Sequence, residues 1–268
     1  MCSSDLDWPG HPDLLDWLAV QFTKNKWDIK ALQKLIVTSA TYRQDSRASA
    51  ALLARDRDNR LLARGPRHRL DAEVIRDNAL AIRGLLIDKI GGPSVRPPQP
   101  ESVIKEAFQA KWEPSKGADQ FRRGLYTFIQ RTAPFGQMVT FDFPDNNQAC
   151  TRRERSNTPL QALTLLNDPV FFSAAQALAS RILHEDGQSD HARLGHAFRL
   201  CLARAPQPVE VARLAEYLDT QAAILNDDPE AAKAMAGDTP GDCGLAKRAA
   251  WVGVASVLLN LDEFITKQ

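Results

Sequence analysis

The chain reads as mainly α: an irregular multi-helix domain with a small β-hairpin insertion. Three observations lead there. Apolar residues recur at three- and four-residue spacing from Pro12 to Leu86, and again from Pro169 to the end. Helix-start signals stand in front of these stretches, at Asp28, Asp71, Thr158-Pro159 and Asp168-Pro169. Between about residues 92 and 148 the helical pattern lapses into a segment rich in Pro, Gly and aromatic residues.

The totals narrow the class. With 268 residues the chain can bury a sizeable core, and 44% apolar with 25% charged residues is ordinary globular composition. A net charge of +1 predicts no strong attraction to nucleic acid or to a membrane surface. Ala249–Leu261 is too short and too interrupted to span a bilayer. The cysteines are Cys2, Cys150, Cys201 and Cys243, with no CxxC pair and no haem-attachment signature. Residues 1–6 lack any hydrophobic pattern and read as a non-native start, so residues 7–268 are expected to form a single, N-terminally truncated domain.

Taken in order, Pro12 opens a helix with Leu14, Leu15, Leu18 and Phe22 at helical spacing. Asp28 caps a second with Ile29, Leu32, Leu35 and Ile36 on one face, and the two make a helical hairpin. Ala48–Ala63, rich in Arg and Asp, predicts a solvated helix or two short turns, and Arg64–Arg69 a basic loop. Asp71 caps a helix expected to run through Leu86 until Gly91-Gly92-Pro93 stops it. Leu125–Ile129 has strand-type residues, and pairing with Phe108–Trp112 would complete the hairpin. Thr140–Asn147 reads as a loop. Thr158-Pro159-Leu160-Gln161 fits a capping box, and the helix it starts should end near Asn167, where Asp168 caps the next. Helices follow at about Pro169–His184, His191–Leu202, Pro208–Leu225 and Leu245–Phe264, the last apolar on nearly every side and so central. Asn226–Gly244 reads as a polar insertion.

The chemistry concentrates in Gln148–Phe172. Arg152, Arg153 and Arg155 precede the Thr158 helix start, where unpaired N–H groups and the positive end of the helix dipole already favour an anion. With Asn157 and Thr158 they form a candidate cradle for carboxylate, sulfate or phosphate, to which Arg122, Arg123 and Arg131 would add. The same arginines would equally serve as structural ion pairs with Glu154, Asp142 or Asp145. Asp142, Asp145, Asn146 and Asn147 supply hard oxygen ligands without EF-hand spacing, and turn formation explains them as well as a cation does. Cys150 beside arginines has the setting of an activated thiol, but no histidine is identifiable as its base. Cys201, with Leu194, Ala197 and Phe198, reads as a core thiol. His11 precedes a helix-opening proline and suits a cap or a carboxylate partner, whereas His191 and His196 lack metal-ligand spacing. No HExxH, GxSxG, phosphate-loop or dinucleotide fingerprint occurs, and the residues define neither a metal site nor a cofactor in this chain.

Seven strings extend the argument: HPDLLDWLA at His11–Ala19, LIVTSATYRQ at Leu35–Gln44, DNRLLAR at Asp58–Arg64, GGPSVRPPQP at Gly91–Pro100, FRRGLYTFIQRTAP at Phe121–Pro134, CTRRERSNTPLQALTLLNDPVF at Cys150–Phe171 and LLNLDEFITK at Leu258–Lys267. In that order they resemble the planctomycete secreted-protein domain PSD-one, also called domain of unknown function fifteen-fifty-three, from about Pro9 to the C-terminus. The resemblance implies a large extracytoplasmic bacterial protein, periplasmic or secreted, with haem c in an upstream cytochrome domain. Its partners would be other domains of the same polypeptide and complex or sulfated polysaccharide. It assigns no reaction to any residue. Two functions are therefore expected: a binding or assembly module for an anionic ligand or partner near Arg152–Thr158, or an enzyme module, hydrolytic or redox-linked, using Asp142, Asp145 and the Cys150 loop.

Overall fold

A computed structural model describes residues 9–100, 112–131, 134–185, 189–239, 241 and 243–267. The chain divides into two compact units, Met1–His68 with Lys267–Gln268, and Arg69–Thr266.

In the first unit, α1 (Pro12–Lys24) and α2 (Ile29–Thr38) form the expected hairpin. Lys26 and Trp27 turn the link with φ of 54° and 63°, and Trp27 sets its ring edge-on to Phe22 at 5.1 Å. The Asp28 carboxylate accepts from Ala31 N–H at 3.0 Å, as its position before α2 requires. A short α3 (Ala50–Arg55) starts at Ser49, whose hydroxyl accepts from Leu52 N–H. The following loop closes on itself: Asp56 accepts from the N–H groups of Arg60 and Leu61, and Arg64 donates to the carbonyls of Asp56 and Arg57. Gly65 is obligatory here, because a Cβ would lie 2.4 Å from the Gln44 carbonyl oxygen.

Two-residue strands, β1 (His68–Arg69) and β2 (Thr266–Lys267), pair as a small antiparallel sheet, so the chain is mainly α with a minimal two-stranded element. That element is not the hairpin expected near residues 105–131. Phe108–Lys111 lies outside the described residues. Leu125 and Tyr126 belong to a 3₁₀ turn, Gly124–Tyr126, and Leu125 is exposed. Tertiary contacts override strand propensity at this point. Gly124 packs so closely on Glu73 that a Cβ would be 2.9 Å from its Cα, and Gly124 N–H donates to Asp77 Oδ1 at 2.6 Å. Among the described residues, the β structure that touches this segment is two isolated parallel bridges, Ile87 with Arg122 and Val95 with Thr127.

The second unit begins with α4 (Ala72–Ile82), shorter than expected. Gly84 adopts φ +74° and ends the helix, and Ile87 N–H turns instead to Phe121 O at 3.0 Å. The unit continues with α5 (Gly136–Thr140), α6 (Pro159–Asn167), α7 (Pro169–Glu185), α8 (Asp190–Leu202) and α9 (Pro208–Asn226). It closes with α10 (Pro229–Ala236), α11 (Leu245–Leu259) and α12 (Asp262–Ile265).

The apolar α11 is central, packed mainly on α7, α9 and α10. Trp251, Val252, Val254, Ala255 and Leu258 are wholly buried, and each large apolar side chain so placed contributes about 1.5–3 kcal/mol. The helix stops at Leu259 rather than Phe264. Asn260 N–H is shared between the Ser256 and Val257 carbonyls, Leu261 is extended, and α12 starts afresh. The expected polar insertion at Asn226–Gly244 contains α10, capped by Asp228, whose carboxylate accepts from Ala231 N–H at 3.0 Å.

Candidate functional site

The N-terminus of α6 is built as its sequence requires. Thr158 and Gln161 exchange both hydrogen bonds of the capping box. Gln161 is buried, and its Nε2 donates onward to Thr140 O (3.0 Å) and Ser156 Oγ (3.2 Å). Ser156 in turn donates its hydroxyl and its N–H to Asp142. Asp142 sits at φ 58° and pairs with the buried guanidinium of Arg69, which also donates to Phe141 O. The Cys150–Thr158 segment is thereby stapled to the end of α5.

Arg153 and Arg155 are consumed inside this scaffold. Arg153 makes a two-pronged pair with Glu73, at 2.8 and 2.9 Å, and lies 3.7 Å from Asp71 and over the Phe143 ring. Donating these hydrogen bonds to Glu73 raises the Arg153 pKa further. Arg155 reaches Asp71 at 3.6 Å. The Asp71 carboxylate faces these arginines and makes no cap hydrogen bond to α4. The partners are thus Glu73 and Asp71, and not the sequence neighbours Glu154, Asp142 and Asp145. Arg152 alone of the three is exposed with no ion pair among the described residues.

The other expected members are dispersed. Arg122 is a buried pillar: it donates to the carbonyls of Lys89, Gly91 and Pro93 and stacks 3.8 Å over Tyr126. Arg123 lies 3.6 Å from Asp88. Arg131 donates to Asn147 Oδ1 at 3.1 Å, and Asn147 is itself held by Asp145. Asn157 is exposed. His11 belongs to the first unit, where Nε2 hydrogen bonds with Arg60 O at 2.7 Å and makes no cap to α1.

An open concavity of about 480 Å³ does lie at this stretch, walled by Val139, Phe143, Pro144, Gln148, Cys150 and Thr151. Its charged residues are Asp142, Asp145, Glu154 and Arg152. Three carboxylates face one guanidinium, so the concavity is not an electropositive cradle. Asp145 is engaged in the turn at Asn147, and Cys150 donates to Arg152 O at 3.3 Å. Among the described residues no three His, Cys, Asp or Glu side chains converge as a metal-binding group.

Sequence reasoning missed Glu73 and Asp71 as the arginine partners. Only the Asp71 cap signal touched them, and nothing local joins residues 80 positions apart. It also missed an apolar groove of about 430 Å³ in the first unit, lined by Leu14, Trp17, Leu18, Leu35, Ile36 and Tyr42 among others. The groove's signal was present. The apolar stripes of α1 and α2 are too broad for a two-helix hairpin to cover, and no residue of α1, α2 or α3 is buried.

The fold is mainly α-helical, and two of the three arginines before α6 are held by internal ion pairs. The chain matches the PSD1 family, described as a protein of unknown function (DUF1553), over residues 3–218, and it belongs to that family. The match ends within α9, short of the C-terminus that the Leu258–Lys267 string suggested. Comparison with curated proteins and with solved structures gives no match. Among the described residues no helix is long and apolar enough to cross a membrane.

Proposed function

We propose that this chain is a non-catalytic assembly module, and that its apolar groove receives an amphipathic helix from another domain of the same polypeptide. One observation carries the reading. Leu14, Leu15, Trp17, Val20, Trp27, Ile29 and Val37, all on or beside α1 and α2, are exposed, around a groove with aromatic walls. Three of the polar residues that line the groove, Ser39, Asn59 and Arg64, are already paired within the protein. Ser39 donates to Ile36 O, Asn59 pairs with the Arg64 backbone, and Arg64 donates to Asp56 and Arg57. An apolar wall with few free polar groups favours an occupant that brings apolar surface while satisfying its own backbone, as a helix does. An extracytoplasmic setting and a haem-bearing upstream domain fit this reading, and rest on the sequence resemblance alone.

The test is a photo-cross-linking residue at position 17 in the full-length protein. A single intramolecular cross-link to an apolar helical segment is expected, together with a lower Tm for Trp17→Lys. Absence of the cross-link and an unchanged Tm would refute it.

A second reading keeps an anionic ligand, with exposed Arg152 as its contact and Arg131 nearby at Asn147. Retention on a sulfated-glycan column that Arg152→Ala removes supports it, and equal retention of both proteins rejects it. The catalytic alternative is weaker, since Asp142 and Asp145 are both engaged in structural hydrogen bonds.

A further inference from the structure

We propose that the tip of the α1–α2 hairpin docks on an anionic bilayer surface, with Trp27 and Ile29 entering the interface and lysines meeting the headgroups. Residues 23–30 are all exposed, Trp27 by 66% and Ile29 by 61%. Neither Trp27 nor Ile29 lines the apolar groove of this unit, so the tip is a second surface with its own chemistry.

Charge sets the sign of the partner. Residues 22–37 hold Lys24, Lys26, Lys30 and Lys34 against a single acidic residue, Asp28. All four lysines are exposed, and none pairs with a carboxylate among the described residues. Asp28 is engaged as the cap of α2, where it accepts from Ala31 N–H. The chain's total of +1 conceals this patch. Charges act across water only over about a Debye length, roughly 10 Å at 0.1 M salt, so the local charge governs docking.

The turn and its apolar pair favour a bilayer over a soluble polyanion. Lys26 and Trp27 hold the left-handed backbone that glycine adopts most readily, and so present a cation and a ring where a bare turn would link the helices. The ring is held edge-on to Phe22. The N–H groups of Asn25, Lys26, Trp27 and Asp28 all donate within the hairpin, to the carbonyls of Gln21, Thr23, Phe22 and Asn25. A turn so satisfied can leave water without stranding these backbone donors. Tryptophan suits the headgroup level, isoleucine gains from the acyl boundary, and lysine stems reach back to the phosphates. A polyanion in water would engage the lysines and leave Trp27 and Ile29 as exposed as before.

The experiment measures co-sedimentation of the whole chain with vesicles of about 7:3 phosphatidylcholine to phosphatidylglycerol, and with pure phosphatidylcholine vesicles. Wild type is expected to bind the mixed vesicles and not the neutral ones, and to be released as NaCl rises from about 0.05 M to about 0.5 M. Lys24→Glu/Lys26→Glu should weaken binding about tenfold or more. Lys116→Glu/Lys233→Glu makes the same change in total charge at exposed positions elsewhere, and should weaken binding less than about twofold. Trp27→Ala should also weaken it about tenfold. Ile29→Ser, at an exposed position, takes its place if loss of the Phe22 contact unfolds the hairpin. No binding to the mixed vesicles overturns the proposal. So does equal loss in the two lysine pairs, which makes the binding a matter of total charge. Undiminished binding by the Trp27 or Ile29 variant also overturns it, by showing a surface for polyanions in general.

Discussion

If Arg153 is a clamp, its energy must appear in folding and must be shared with Glu73. The perturbation is a double-mutant cycle with Glu73→Gln, Arg153→Met and the pair. The two N–H···O contacts are short, at 2.8 and 2.9 Å, and the side chains are 20% and 35% exposed, respectively. A fully exposed pair contributes about 0–1 kcal/mol, and breaking a buried one costs about 3–5 kcal/mol. This geometry lies between them, so a coupling of about 1–2 kcal/mol is expected in low salt. Arg153→Met retains much of the apolar stem beside Phe143, so the cycle isolates the charge-assisted bonds. Asp71, 3.7 Å away, offers Arg153 a fallback, which keeps the Glu73→Gln loss below that of Arg153→Met. Urea unfolding read as a shift in midpoint at constant slope measures each corner. A coupling below about 0.3 kcal/mol, within the usual additivity error, would refute the clamp. Unchanged stability of Arg153→Met with lost retention on an anionic column would restore the open cradle.

Three further outcomes are expected. Arg204 bridges Glu210 and Glu263, and its hydrogen bonds pull the Glu210 carboxyl down to about 2 from the ordinary 4.5. A depressed carboxyl stabilises the fold above its unfolded pKa. The Tm advantage of wild type over Glu210→Gln should therefore be full at pH 6, shrink below about 4.5 and vanish near 2. Leu258, wholly buried in α11, should cost about 2–5 kcal/mol when cut to Ala, read by urea unfolding. Cys201 packs against the core, and burial pushes its thiol up to about 12, whereas Cys150 is exposed. A thiol reagent at pH 8 should thus modify Cys150 in the native protein and Cys201 only after unfolding, with mass spectrometry locating each label.

Most of the helical architecture was legible because its signals are local. The Thr158 box, the Asp28 cap and the all-round apolar character of α11 each follow from a few neighbouring residues, and each is observed. The α10 helix had equally local signals in Asp228-Pro229-Glu230, obscured by the polar composition around them. Leu125–Ile129 failed for the opposite reason. Its strand-type residues are real, but Gly124 is drawn against Glu73 and Asp77, which no window around residue 125 contains. The end of α4 turned on one residue, Gly84, where the apolar pattern continued to Leu86.

The arginine stretch shows how far a dipole argument reaches. Three guanidiniums before a helix start do call for negative charge, and negative charge is what the structure supplies to two of them. Its source is the start of α4, where Asp71 at the N-cap and Glu73 in the first turn would ordinarily favour their own helix N-terminus. One acidic pair at the start of α4 thus offsets the positive charge before α6, joining two helix starts that lie far apart in sequence. An external anion would have to displace Glu73 from a two-pronged bond to occupy the same place, and would leave that carboxylate unpaired and largely buried. Arg153 and Arg155 are therefore held by the protein's own carboxylates, and Arg152 is the member of the three that carries no such pair among the described residues.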